Sequence, residues 1–201
     1  MNQKRSSPTH MEAQTKKSKV HTHCSSHPDY KDDWSTPKHA YKDIRNSVEH
    51  YQKTQNIQKL VIWDPFYNAS SSGTAGKYLQ EVFPDATIIH GDQWVDLSDT
   101  IIPDYAKDVN LIVTNPPYSG KHKLTTTMWM MSLNIPFMTL IPHDTDALKC
   151  FRPIIRNFQK IVPNGRITFE SGEGEKSKSS PRATAWFCYG CNLPYQTVYL
   201  D

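Results

Sequence analysis

Short apolar runs, each closed by a polar or proline-containing turn, alternate with helical patterns along most of this chain. Residues 60–63, 86–89, 110–113 and 136–141 are predicted to be strands, because each run is short and flanked by turn signals. The runs are continuous rather than alternating, which is typical of strands that are buried on both faces of a sheet. The sequence therefore predicts an α/β fold in which helices cover a mostly parallel sheet.

Helices are predicted wherever apolar residues recur at intervals of three and four. Four such groups are Tyr41, Ile44, Val48 and Tyr51; Ala75, Leu79, Val82 and Phe83; Leu124, Met128 and Met131; and Leu148, Phe151, Ile155 and Phe158. In the first helix we expect Ser35 or Thr36 to cap and Pro37 to lie in the first turn, where its missing N–H is harmless. Late strands, in part antiparallel, are expected at residues 166–169, 183–189 and 197–200.

The N-terminal segment differs in composition from the rest of the chain. Residues 1–28 contain almost nothing that a core could bury, so we predict a disordered basic tail before one domain at residues 29–201. The basic clusters at residues 4–5 and 16–19 fit a nuclear-import signal, a loose contact with phosphates, or a solvated tail with neither role. No run approaches the roughly 20 apolar residues that span a bilayer, and no secretory signal is recognisable. We therefore expect an intracellular protein of the nucleus or cytoplasm.

Charge and cysteine content narrow the classes of partner. A net charge of +3 over 201 residues permits a nucleic-acid partner without requiring one. The cysteines, Cys24, Cys150, Cys188 and Cys191, are too few and too scattered for a disulfide framework, so free thiols are expected. A structural zinc needs four well-placed ligands, which neither the histidines around Cys24 nor the late cysteine pair supplies. No metal is therefore expected.

Unusual residues directly follow three of the predicted strands. Asp64 and Pro65 follow the first, Asp92 follows the second, and an Asn-Pro-Pro-Tyr turn at residues 115–118 follows the third. Parallel sheets bind ligands at the carboxyl ends of their strands, near the point where the strand order switches. A ligand site is therefore expected where these three turns meet.

The Asn-Pro-Pro-Tyr turn has the groups needed to activate a planar amine. The lone pair of such an amine is delocalised, and acceptors for both of its N–H groups favour a tetrahedral nitrogen. Asn115 offers a side-chain oxygen and Pro116 a backbone carbonyl, while Pro116 and Pro117 stiffen the turn and remove two N–H donors. Tyr118 offers a flat face on which a base can stack. A base within a duplex would have to be flipped out to reach this pocket.

The block at residues 108–119 resembles motif IV of the amino-methyltransferases, above all the adenine-N6 DNA methyltransferases. Over residues 34–189 the chain is most similar to the small Dam-like enzymes of phages and large DNA viruses. This resemblance implies a Rossmann-like class I fold, S-adenosylmethionine as the cofactor, and the N6 amine of adenine in DNA as the methyl acceptor. It implies that the turn itself is catalytic: Asn115, Pro116, Pro117 and Tyr118.

For the cofactor, the resemblance implies contacts from three parts of the chain. These are Trp34, Thr36 and Pro37 on the N-terminal side, Asp64, Pro65, Phe66 and Gly73 around the first strand end, and Asp92 and Asn115 after later strands. The Gly-x-Gly of the family is replaced by residues 67–76, in which Asn68, Gly73 and Gly76 would share the close approach to the cofactor. Asp92 and Asp96 remain alternatives for contacts with the ribose or the cofactor's adenine, and both also fit a simple strand end.

Basic residues beside the turn are the expected contacts with nucleic acid. Together with Tyr118 they are Lys121 and Lys123, directly after the turn, and Lys178 and Arg182, in a polar stretch between late strands. Solvated loops fit these residues equally well. No insertion is large enough for a target-recognition domain, so we expect weak sequence selectivity or a partner subunit.

Three alternatives stay open on the sequence. Related enzymes with this turn methylate adenine in RNA or a glutamine amide in protein, and the same two acceptors suit all of these amines. The replaced glycine loop also fits a non-catalytic, nucleic-acid-binding subunit of a heteromeric methyltransferase.

Overall fold

The computed structural model of the protein describes residues 34–66, 74–90, 104–116, 118, 122–171 and 183–201. In chain order the elements are β1 (Trp34–Ser35), α1 (Lys38–Asp43), α2 (Arg45–Thr54), β2 (Val61–Asp64), α3 (Thr74–Val82), β3 (Thr87–His90), β4 (Leu111–Thr114), α4 (His122–Ser132), β5 (Phe137–Pro142), α5 (Arg152–Ile155), β6 (Phe158–Val162), β7 (Glu170–Ser171), β8 (Thr184–Tyr189) and β9 (Thr197–Tyr199). Short 3-10 helices, Asp104–Ala106 and His143–Ala147, precede β4 and follow β5. The predicted tail at residues 1–28 lies outside the described residues.

Seven strands form one sheet in the order β3-β2-β4-β5-β8-β6-β9. β2 is parallel to β3 and β4, β4 to β5, and β6 to β9, whereas β8 is antiparallel to both of its neighbours. This confirms the predicted Rossmann-like α/β fold with a mostly parallel sheet. The late strand predicted at residues 197–200 is β9, at one edge of the sheet. Because β3 and β4 lie on opposite sides of β2, the strand order switches between β2 and β4.

Apolar layers cover both faces of the sheet. Successive residues of a strand point to opposite faces, so Ile62 belongs to the layer under α1, α2 and α3, and Trp63 belongs to the layer under α4. In the first layer the rings of Tyr41 and Trp186 lie 6.0 Å apart, and in the second those of Trp63 and Trp129 lie 5.8 Å apart. Full burial of an aliphatic or phenylalanine side chain in these layers contributes roughly 1.5–3 kcal/mol. The covered faces leave the ends of the strands as the place for a ligand.

The first predicted helix is two helices that share one buried face. Ile44 forms the turn between α1 and α2, and it is buried like its neighbours along the predicted face. The predicted cap is wrong: Pro37 is the N-cap residue, with ψ at 155°, and no side chain caps the helix. The reason is that Ser35 belongs to β1, where it lies opposite Glu170, and Thr36 is buried.

The region after β5 departs most from the sequence prediction. Residues 148–158 do not form one helix, because Pro153 lies at the start of α5, which ends after four residues. Phe158 instead begins β6, between β8 and β9. Residues 166–169 form no strand, although Ile167 and Phe169 are buried in alternation and so give a strand-like pattern without a partner strand.

Helix α4 packs Leu124 and Met131 against the layer that contains Trp63, as predicted, but not Met128. Met128 is 54% exposed, while Trp129 is buried. Thr126 and Thr127 are also buried. Their hydroxyls donate to the carbonyl oxygen of Lys123 at 3.1 and 2.8 Å, so their burial leaves no donor unsatisfied. Apolar spacing does not predict the burial of polar residues whose hydroxyls bond to the backbone of their own helix.

The described cysteines carry free thiols, with Cys150 exposed and Cys188 and Cys191 buried. Burial raises the pKa of the Cys188 thiol well above its usual value. Within the described part of the chain, no group of three or more candidate metal ligands occurs. None of the helices in that part is long and apolar enough to cross a membrane.

Gly76, in the first turn of α3, occupies a position where a side chain has no room. A Cβ there would lie 1.8 Å from Nε2 of His90, at the end of β3. We expect Gly76→Ala to lower the free energy of unfolding by about 1–3 kcal/mol, because overpacking displaces the ring. Adding His90→Ala should restore most of this loss, as measured by urea unfolding.

Lys77→Ala, at the exposed neighbouring position, is the matched control and should change stability by less than about 0.5 kcal/mol. An equal loss for Gly76→Ala with and without His90 would show that the ring is not the obstacle.

Candidate active site

The ends of β2 and β4 are joined by one buried hydrogen bond. Thr114 Oγ1 donates to Asp64 Oδ1 at 2.6 Å, and both side chains are at most 3% exposed. The same carboxylate oxygen also accepts the backbone N–H of Phe66 at 3.3 Å. These contacts place a buried carboxylate at the switch in strand order, and its donor Thr114 directly precedes Asn115.

Burial and hydrogen bonding act in opposite directions on the charge of Asp64. Burial raises the pKa of this carboxyl, whereas the hydrogen bond from Thr114, the nearby His90 and the Phe66 N–H lower it. A cationic ligand beside Asp64 would favour the charged form of the carboxyl.

Buried hydroxyls lie on the N-terminal side of Asp64. Ser35, Thr36 and Tyr41 are buried, and their hydroxyls have no hydrogen-bond partner among the described residues. Burial and the charge of Asp64 raise the pKa of Tyr41, while the neighbouring Thr36 lowers it, although the two hydroxyls are not in hydrogen-bonding geometry. An unsatisfied buried hydroxyl costs about 1–3 kcal/mol, so this cluster favours a polar ligand.

A two-stranded ladder fixes this N-terminal segment. β1 is antiparallel to β7, and Ser35 lies opposite Glu170. The hydroxyl of Tyr78, on α3, donates to Glu170 Oε2 at 3.1 Å. Burial and the hydrogen bond to Glu170 raise the pKa of Tyr78. The ladder thus ties the start of the domain to α3 beside the candidate site.

His90 is a site residue that the sequence analysis missed. It ends β3 in register with Asp64, and its ring lies against Gly76. The search for an acidic residue after this strand pointed to Asp92, two positions later and outside the described residues. The available signal was a polar residue directly after the predicted strand at residues 86–89. Gly76 therefore makes room for this ring, whereas it was expected to make room for the cofactor.

The described part of the Asn-Pro-Pro-Tyr turn packs against the sheet. Asn115 and Tyr118 are half-buried, and Pro116 is buried. The Tyr118 hydroxyl lies 2.8 Å from the carbonyl oxygen of Leu140 and also within hydrogen-bond distance of Asn115 Oδ1. Its ring packs at the edge of the layer that contains Trp63. The turn is thus anchored to β5 as well as to β4.

The other predicted contacts are distributed as follows. Trp34 lies in β1, Pro37 and Pro65 are at least half-buried, and the ring of Phe66 is part of the core, 5.8 Å from that of Trp129. Outside the described residues lie Gly73, Asp92, Asp96, Pro117, Lys121, Lys178 and Arg182.

Lys123 is not in a basic loop, as expected, but in the first turn of α4. Its side chain is 8% exposed, and its Nζ lies 5.8 Å from the centre of the Phe151 ring. A lysine buried in this way is poorly placed to reach a phosphate on the protein surface. The expectation that Lys123 projects from a loop is therefore wrong.

Three other cations form an exposed group that the sequence analysis missed. Lys149, Arg152 and Arg156, here called the basic strip, are exposed and contact no carboxylate among the described residues. Phe151, between them, is buried beside Lys123 of α4. The strip therefore begins close to the helix that follows the Asn-Pro-Pro-Tyr turn.

No protein-family model matches the sequence, and no curated protein matches it. Among solved structures, the chain is similar to a Listeria monocytogenes protein described as a class I S-adenosylmethionine-dependent methyltransferase. The identity is 14% and the TM-score 0.48, over 86% of this chain and 67% of that one. It is also similar to a protein from Vibrio vulnificus described as a modification subunit of a type I restriction enzyme. That identity is 12% and the TM-score 0.40, over 77% of this chain and 44% of that one. At this level of similarity, function has to be argued from the residues of the site.

Removing the Thr114 hydroxyl tests the junction of β2 and β4. We expect Thr114→Val to lower the free energy of unfolding by about 1–3 kcal/mol at pH 8, because a buried charged group loses a donor. The folded-state pKa of Asp64 is raised from 3.8, so stability falls as pH rises through that pKa, and losing Thr114 steepens the fall. Urea unfolding should therefore show a smaller loss at about pH 4 than at about pH 8.

Thr114→Ser keeps the hydroxyl and serves as the control. Equal losses for the valine variant at the two pH values would mean that the hydroxyl does not support the charge of Asp64.

Proposed function

We propose that the protein transfers a methyl group from S-adenosylmethionine to the N6 amine of adenine in DNA. The observation that carries the proposal is the junction of the Asn-Pro-Pro-Tyr turn with a buried carboxylate at the switch in strand order. Thr114 forms this junction through its 2.6 Å bond to Asp64. One side of the junction has acceptors for a planar amine, and the other has polar groups for a charged cofactor.

The polar groups around Asp64 suit the amino-acid end of S-adenosylmethionine. Its ammonium group would meet the carboxylate of Asp64, and its carboxylate would meet the buried hydroxyls of Ser35 and Thr36. His90, at the end of the neighbouring strand, is a further candidate for the ribose hydroxyls, next to Asp92. When bound, this cofactor would supply an electrophilic methyl carbon, because the positively charged sulfur that carries it can leave with the bonding electron pair.

Asn115 and Pro116 would hold the amine. Their carbonyl oxygens accept its two N–H groups, which directs the nitrogen lone pair at the methyl carbon. With the amine held in this way, the nitrogen would take the methyl group, the cofactor's sulfur would keep the electron pair of its former bond to that carbon, and the nitrogen would release one proton to water. No strong general base is needed, so the chain contributes mainly positioning and electrostatics.

Tyr118 is proposed to stack on the base. Its ring is only partly buried, which leaves surface for such a contact. A base within a duplex has to be flipped out to reach it. The remaining roles stay predictions for Trp34, Pro37, Pro65, Phe66, Gly73, Asp92 and Pro117.

The basic strip favours a nucleic acid over a protein as the polymer that carries the amine. Lys149, Arg152 and Arg156 are exposed, and no described carboxylate pairs with them, as contacts to phosphates require. Lys121, Lys178 and Arg182 remain proposed contacts, and a partner subunit is proposed to add target recognition. The strip does not discriminate DNA from RNA, so the two have to be compared directly as substrates.

Incubation with methyl-labelled S-adenosylmethionine and DNA, RNA or protein tests the proposal. Label is expected in DNA, and digestion should release N6-methyladenine. Label confined to RNA or to protein would replace adenine in DNA by the corresponding alternative. If calorimetry detects no binding of the cofactor, the non-catalytic subunit is the better description.

In the same assay Asn115→Ala should lower kcat by about 10²–10³-fold, because one of the two acceptors is lost. The Kd for the cofactor should stay within about threefold of the wild-type value. Asn157→Ala, at an exposed position before β6, is the control and should leave both quantities unchanged. A fully active Asn115→Ala variant would refute the role of this residue.

Reversing the charge of the basic strip should weaken binding to nucleic acid. We expect the variant K149E/R152E/R156E to lower the slope of log Kd against log salt concentration by about 2.7, if each cation meets one phosphate. The matched control, K42E/K53E/K59E, makes the same charge change at exposed positions on the side of the sheet covered by α1 and α2. Equal losses in both variants would show a general effect of net charge instead of a contact surface.

A further inference from the structure

The Tyr118 hydroxyl has one proton and two neighbouring acceptors. Its oxygen lies 2.8 Å from the carbonyl oxygen of Leu140 and within hydrogen-bond distance of Asn115 Oδ1. Since a hydroxyl has a single proton, these two oxygens compete for it or share it. A donor on the Asn115 side would allow both contacts to be full hydrogen bonds.

A half-turn of the Asn115 amide resolves the conflict. The oxygen and nitrogen of an amide have nearly the same shape, and the hydrogen-bond network decides which of them faces a given neighbour. After the half-turn, Asn115 Nδ2–H donates to the Tyr118 oxygen, and Tyr118 donates to Leu140. Both of these contacts then join a donor to an acceptor, and Asn115 Oδ1 points away from Tyr118.

We propose that the Tyr118 hydroxyl sets the orientation of the Asn115 amide, so that Oδ1 faces the amine to be methylated. This inference rests on the proposed function. Tyr118 is then a positioning residue as well as a stacking surface. The Leu140 carbonyl can only accept a hydrogen bond, so it determines in which direction the bonds from Asn115 through Tyr118 run. This carbonyl is fixed, because it belongs to a central, fully buried strand.

The two acceptors of the amine differ in how they can fail. The carbonyl of Pro116 belongs to the backbone and cannot change places with a donor. Asn115 can, because rotation about its last side-chain bond exchanges oxygen for NH₂ at little steric expense. If the NH₂ group of Asn115 faced the amine, two donors would meet and the hydrogen bond to the amine would be lost. Asn115 is thus the member of the pair that needs a restraint, and its described neighbour Tyr118 supplies one.

A double-mutant cycle tests the restraint. Tyr118→Phe keeps the ring and loses the hydroxyl, so kcat should fall about five- to tenfold while KM for the nucleic acid stays unchanged. With Asn115→Asp as the background, an oxygen faces the amine in either orientation. There Tyr118→Phe should change the remaining kcat by less than about twofold. Tyr195→Phe, which removes an exposed hydroxyl, is the control.

The opposite results would overturn the inference. An unchanged or raised kcat for Tyr118→Phe would mean that the hydroxyl competes with the amine for Asn115 Oδ1. Equal decreases in the wild-type and Asn115→Asp backgrounds would mean that the hydroxyl acts on the fold and not on the amide.

Nuclear magnetic resonance supplies a readout that is independent of methyl transfer. With asparagine side chains labelled with ¹⁵N, the NH₂ protons of Asn115 should show contacts to the Tyr118 ring and slow exchange with solvent. Tyr118→Phe should speed that exchange. Absence of the contacts would refute the orientation even if the kinetic result agreed, or if the Asn115→Asp background were inactive. If no methyl transfer occurred at all, the proposed function alone would fail, because this experiment still determines the orientation.

Discussion

The hydrogen bond from Thr114 to Asp64 holds together the two strand ends on which the candidate site depends. Asp64 is almost completely buried, so its charge is tolerated only where donors face it. Thr114, the Phe66 N–H and His90 all act on the same carboxyl. Since Asn115 directly follows Thr114, the position of the amide is tied to the position of the carboxylate. One side-chain hydrogen bond therefore links the residue proposed to hold the cofactor to the turn proposed to hold the amine.

The site combines rigid and rotatable groups in a defined order. The sheet fixes the backbone carbonyls, including that of Leu140, because the central strands are buried on both faces. The side chains that face a ligand can still rotate, and each is restrained by a neighbour: Asp64 by Thr114, and Asn115 by Tyr118. Such restraints reduce the rearrangement that a reaction would otherwise require.

The sequence was most informative where local pattern and fold agree. Four strands of the parallel part were predicted within a residue of their observed bounds, because continuous apolar runs have few other structures available. The start of β6 was missed because Phe158 lies three positions after Ile155 and so continues the helical spacing of the residues before it. The Asn-Pro-Pro-Tyr turn was recognisable because its chemistry is local.

Features that depend on distant neighbours could not be read in this way. The burial of Lys123 follows from its contact with Phe151, and the importance of His90 follows from its register with Asp64. The charges of the basic strip are visible in the sequence, but their lack of carboxylate partners among the described residues is a property of the folded chain. The roles of the individual site residues remain predictions for the same reason, since each requires a ligand to be placed among them.

The short ladder between β1 and β7 affects when the candidate site forms and how easily it opens. It joins the beginning of the described chain to a segment that is synthesised late, so the site is not complete on a growing chain until β7 has been made. With two residues on each strand, the ladder has few hydrogen bonds to hold it against local opening. Fraying there would expose Ser35 and Thr36 while the seven-stranded sheet stays intact. Opening of this small ladder would then undo the proposed cofactor side of the site without unfolding the whole domain.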